Sequence, residues 1–155
     1  MRSVAALLAV VFAIAASGCM NKPRHLHYSN GVTIVGWHVP HFEACLWSQD
    51  PNNPQPCPLV VHLPAGDIAE NELADAETLK QRGWEEQGNG NLALRTDNGI
   101  LVCGYRGRAL VAATVSTLPG NGGGPIAVSI GGKRFSLPAT DEEIIAALGQ
   151  PDQRD

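Results

Sequence analysis

The chain opens on Val4 to Ala16, an unbroken apolar run, and then breaks into shorter segments of differing period. The run is too short for a stable bilayer-spanning helix, which takes roughly 20 residues. Behind Arg2 it has the layout of a signal peptide, assigned to residues 1–18. Residues 19–30 are polar and basic without periodicity and are expected to form a tether. Val32 to Trp37, after the turn pair Asn30-Gly31, is rich in β-branched and aromatic side chains and predicts a strand. Phe42 to Trp47 is its expected hairpin partner. Leu59 to Leu63, bounded by Pro58 and Pro64, predicts a further compact strand. Then the period changes. Ala69, Leu73, Ala76 and Leu79 fall on one helical stripe and predict an amphipathic helix from about Ile68 to Arg82, capped by Asp67 with Glu70. Gly83 is a natural left-handed stop, after which Trp84 folds back on Leu79.

From Asn91 the alternation returns. Asn91 to Thr96 and Ile100 to Tyr105 flank the turn Asp97-Asn98-Gly99, and Ala109 to Thr117 follows as a third strand. Ile126 to Ile130 and Lys133 to Leu137 flank Gly131-Gly132. Thr140-Asp141-Glu142-Glu143 is a capping box that opens a short helix carrying Ile144, Ile145 and Leu148 and ending at Gly149. A helix so short must dock to persist. The expected class is α+β: a mostly antiparallel sheet of about five to seven strands, covered by one amphipathic helix and a short C-terminal helix. One domain is expected over residues 31–149, with a tail at 150–155.

Composition fits a packed domain, with 44% apolar and 17% charged residues. The net charge of −4 becomes more negative once Arg2 is removed, and no basic run exceeds Lys133-Arg134. Nucleic acid is therefore not an expected partner.

Ser17-Gly18-Cys19, closing the apolar run, resembles the lipobox of bacterial lipoproteins, although Ala16 stands where Leu is usual. The resemblance implies cleavage between Gly18 and Cys19, a diacylglyceryl thioether on the Cys19 sulfur, an acyl chain on the freed amine, and the membrane as a partner through that lipid. Met20 replaces the Asp that favours inner-membrane retention in that class, which implies the outer membrane with the domain in the periplasm. The other reading is a conventional signal peptide cut near Ala16 or Gly18, leaving Cys19 an ordinary thiol. Separately, Thr140 to Pro151 looks like the helix ending in Leu-Gly-x-Pro of small outer-membrane lipoproteins of the SmpA/OmlA and β-lactamase-inhibitor-like group. There the helix precedes the sheet, whereas here it ends the chain, so neither fold nor function is carried over.

Beyond Cys19 the chain has Cys45, Cys57 and Cys103, in a compartment that permits disulfides. Of the three pairings, Cys45 with Cys57 is the most natural, because the proline-rich loop between them has little else to order it. Such a bridge is worth about 3 kcal/mol. Cys103, in an apolar strand, then reads as a buried free thiol. An unlipidated Cys19 would offer a fourth partner.

Metal ligation is the sharpest chemical option. His38 and His41 flank Pro40, His62 lies on a later strand, and His25 and His27 lie in the tether. No Cys-x-x-Cys or His-Glu-x-x-His accompanies them, so they read as surface or hydrogen-bonded side chains, and no cofactor is expected. Ser129 has Ala127 where a Gly-x-Ser-x-Gly elbow needs glycine, and Cys103 has no base nearby in sequence. Glu142 and Glu143 suit a helix N-terminus, and the loop Pro119 to Pro125 lacks the Lys-Ser/Thr of a P-loop. No enzyme is expected. The expected role is that of a lipid-anchored envelope component that binds another envelope protein. The alternatives are an inhibitor or immunity-type protein that neutralises a secreted hydrolase or toxin, and a His-based metal-binding protein.

Overall fold

The computed structural model describes residues 23–37, 42–88, 90–118 and 125–155. It corrects the expected class. Among the described residues 51% are in strand and 15% in helix, so the fold is mostly β, and what faces its larger sheet is a second sheet rather than an amphipathic helix. The strands are β1 (Arg24–His27), β2 (Val32–Trp37), β3 (Phe42–Ser48), β4 (Leu59–Leu63), β5 (Gly66–Ile68), β6 (Glu85–Gly88), β7 (Asn91–Arg95), β8 (Gly99–Arg106), β9 (Ala109–Thr117), β10 (Ile126–Ile130), β11 (Lys133–Leu137) and β12 (Gln153–Arg154). The larger sheet runs β12-β1-β2-β3-β9-β8-β7-β6 and the smaller β11-β10-β4-β5, with every pair antiparallel.

Period-two alternation sorts each strand into two faces. In the larger sheet Leu26, Ile34, Cys45, Trp47, Leu101, Cys103 and Val115 face inward. They share one core with Leu59, Val61, Ile68, Val128, Ile130 and Phe135 of the smaller sheet. Gly31 serves the β1–β2 turn at φ +83°, and a Cβ there would lie 2.6 Å from the Ser48 carbonyl oxygen, so only glycine fits.

The stretch expected as one helix is three elements. Gly66–Ile68 is strand β5, followed by α1 (Glu70–Leu73) and α2 (Ala76–Gln81). Asp75 makes the break: its carboxylate accepts from Glu77 N at 3.1 Å and Thr78 Oγ1 at 2.8 Å. That is the local competition which makes Asp poor inside a helix and good at its start. Asp67 is a strand residue rather than a cap, and Glu72, not Glu70, reaches back to the Ala69 N–H at 3.1 Å. The ending does follow the sequence. Trp84 N donates to Leu79 O and Gly83 N to Lys80 O, with Gly83 at φ +92°, a complete Schellman motif. The last helix, α3 (Asp141–Leu148), has its capping box, with Thr140 Oγ1 accepting from Glu143 N at 3.2 Å and Glu143 Oε2 from Thr140 N at 2.8 Å. It packs against β11 through the fully buried Ile144.

Two expected boundaries also move. Arg24–His27, placed in the tether, is strand β1, and Gln153–Arg154, placed in the tail, pairs with it as β12. The loop from Asp50 to Pro58 is tied down by Gln49, whose amide donates to Leu110 O at 2.6 Å while its carbonyl oxygen accepts from Gln55 N.

Candidate functional site

Cys19, Gly18, His38 and His41 lie outside the described residues. Of the other sequence candidates, the cysteines lie in the core, His62 and Ser129 on the smaller sheet, and His25 and His27 on β1.

The three cysteines lie in the main core, and all three are buried free thiols in this structure, so the expected Cys45–Cys57 bridge is not formed in it. Cys45 and Cys103 project from the same face of the larger sheet, two strands apart. Cys57 is close enough to act electrostatically on both. Burial pushes the Cys57 thiol up to about 11 and Cys103 to about 12, and Cys45 further still. At neutral pH all three are protonated and unreactive toward surface reagents.

At one end of the larger sheet lies a charged network the sequence did not reveal. Glu43, only 4% exposed, accepts from Arg24 Nη2 at 2.6 Å and from the Ala139 N–H at 3.0 Å. Arg24 Nη1 also meets Asp141 Oδ1 at 2.9 Å, and Asp141 Oδ2 meets Arg154 Nη2 at 2.6 Å. Gly36 stands between the two strands that carry the pair, and a Cβ on it would press on the guanidinium at 3.2 Å. The network fastens β1, β3, β12 and the start of α3. Its purpose is architectural, because every charge in it is matched by a partner. On the opposite face of that sheet, Val35, Trp37 and Ala44 form a second apolar cluster with Leu46, separate from the core.

Of His38, His41 and His62, only His62 lies within the described residues, and its neighbours are a hydroxyl and a carboxylate. Strand register sets this up: His62 on β4 stands opposite Asp67 on β5 and Ala127 on β10, with Ser129 two places along. All point away from the core. His62 Nε2 lies 2.7 Å from Ser129 Oγ and His62 Nδ1 2.9 Å from Asp67 Oδ1. Among the described residues no three His, Cys, Asp or Glu side chains come together as a metal-binding group. Asp67 was legible in principle, since Leu63-Pro64-Ala65-Gly66 is turn chemistry that folds it back across His62. Ser129 was not, because the β4–β10 pairing joins residues 67 positions apart.

A mixed cleft of about 550 Å³ lies beside α2, lined among others by Asp75, Lys80, Glu86, Tyr105 and Arg108. Lys80 is already engaged by Glu86 at 2.8 Å and Glu77 at 3.2 Å. The chain matches no family model, no curated protein and no solved structure.

Proposed function

We propose that the chain is a lipid-anchored, periplasm-facing envelope protein that binds another envelope protein. The observation that carries this reading is the leader ending in Ser17-Gly18-Cys19, which supports export, cleavage before Cys19 and an outer-membrane anchor through that residue. Protein binding would use the outer face of the larger sheet, where the partly exposed Leu46 borders the buried cluster of Val35, Trp37 and Ala44.

A photo-crosslinking residue in place of Leu46, in the full chain expressed in intact cells, tests the reading. The expected result is a specific adduct with one envelope protein, absent when the same residue replaces exposed Glu142. Adducts of equal pattern at both positions would overturn it. A stoichiometric adduct with a secreted hydrolase or toxin would instead establish the inhibitor alternative.

A further inference from the structure

The smaller sheet carries a constellation that the protein-binding reading does not use. We propose that Ser129 is a nucleophile, poised by His62 and Asp67 to take an acyl group from a carboxylic ester presented to the outer face of this sheet.

The three side chains stand in hydroxyl, imidazole, carboxylate order. Asp67 beside Nδ1 favours the tautomer with its proton on that nitrogen, which leaves Nε2 to accept the Ser129 hydroxyl proton across 2.7 Å. The Nδ1–H does not point along the 2.9 Å line to Asp67, so the carboxylate acts on the ring through close charge more than through an aligned hydrogen bond. The Ser129 residue is 8% exposed and the His62 side chain 15%, whereas the Asp67 side chain is 62% exposed. The hydroxyl is thus sheltered at the floor of the face while the carboxylate reaches solvent. Three strands hold the group in register, which fixes it without relying on a flexible loop.

A fourth residue completes the arrangement. Arg134 on β11 stands directly across from Ser129, on the same outward face, and is exposed. No ion pair joins Arg134 to another described residue, so its guanidinium is available to a developing oxyanion. The group lies on the outward face of a sheet, which suits an ester presented from outside, such as an acyl group carried on a larger molecule.

In the forward step the Ser129 Oγ–C bond forms as its proton passes to His62 Nε2. The ester C–O bond then breaks, and the leaving oxygen takes that proton and departs as the alcohol. Water repeats the sequence against the acyl-serine, releasing the carboxylic acid and returning the proton to Ser129. No oxidant or metal enters the balance.

The test uses the full chain in detergent, one sample with an aryl fluorophosphonate, which forms an Oγ–P bond and releases fluoride, and a separate unlabelled sample with p-nitrophenyl acetate. Peptide mapping is expected to place a single phosphonyl adduct on Ser129, with an initial burst of p-nitrophenol. Ser129→Ala is expected to lose both. His62→Gln is expected to slow labelling by about 100-fold or more, and Arg134→Gln to reduce the burst rate while thermal unfolding is unchanged. Asp67→Asn changes an exposed side chain, so it keeps the test valid if a buried-site variant fails to fold; slower labelling is expected of it too. No adduct on Ser129, or equal labelling rates in wild type, His62→Gln and Asp67→Asn, would overturn the proposal. Neither result depends on the anchor or on the protein partner.

Discussion

Glu43 illustrates how one side chain holds several elements together. It is buried on β3, receives the Arg24 guanidinium over the gap left by Gly36, and binds the backbone N–H of Ala139 ahead of α3. Removing Glu43 leaves the buried Ala139 N–H without its acceptor and Arg24 with Asp141 alone, so Glu43→Ala is expected to lower unfolding stability by about 1 to 3 kcal/mol. Equilibrium denaturation measures it, and a loss below 1 kcal/mol would mean the network is dispensable. Tyr105 plays a smaller part of the same kind, donating its hydroxyl proton to the Leu73 carbonyl at the end of α1. Tyr105→Phe leaves that carbonyl without its donor, at an expected cost of about 1 to 3 kcal/mol by the same measurement. The thiols predict a pH dependence. Burial raises Cys45, Cys57 and Cys103 above the ordinary value of 9.0, Cys57 to about 11 and Cys103 to about 12. An unfolded chain therefore releases these protons first. The stability they contribute is complete below pH 9 and is lost as pH rises toward the folded values. Tyr105, also raised by burial, acts in the same direction from about pH 10. The urea midpoint of the reduced protein should fall between pH 8 and pH 10.5, and a midpoint constant over that range would contradict the buried state of the thiols.

At the scale of elements, the sequence carries the local signals and not their grouping. The strands Val32–Trp37, Leu59–Leu63, Ala109–Thr117, Ile126–Ile130 and Lys133–Leu137 all form within the bounds their alternation predicts, as do the Gly83 ending and the Thr140 capping box. The stripe of Ala69, Leu73, Ala76 and Leu79 was misread as one helix because a periodicity of apolar positions carries no record of where a polar side chain turns on its own backbone. Asp75 does so, and Gly66 and Asp67 are drawn into a strand by the partner β4. Leu73 is nevertheless buried in the core, 1% exposed. Leu73→Asp should cost several kcal/mol by burying an unpaired charge, whereas Glu72→Gln, on the half-exposed side, should cost only a few tenths. Similar denaturation midpoints for the two variants would show that α1 is not docked through Leu73.

For the whole molecule, what the sequence could not supply was the pairing of distant strands. β3 meets β9 and β4 meets β10, and these long-range ladders split one expected sheet into two. A strand pattern fixes which side chains face inward but not which partner lies alongside, so both the two-sheet architecture and the meeting of His62 with Ser129 emerge only from topology. The same topology brings Cys57 near both Cys45 and Cys103. In an oxidising envelope the Cys45–Cys57 pairing is still the one we propose, closing the loop anchored by Gln49. Non-reducing peptide mapping is expected to find that link, and a Cys57–Cys103 peptide would replace it.

The proposed lipid anchor at Cys19 would decide the compartment in which every surface works. Cells fed labelled palmitate and expressing the full chain or its Cys19→Ser variant test this directly. The wild-type protein should incorporate label and fractionate with the outer membrane, while Cys19→Ser should remain an unlabelled, uncleaved precursor. A wild-type protein that takes up no label, or a Cys19→Ser protein that is processed and labelled, would contradict the account.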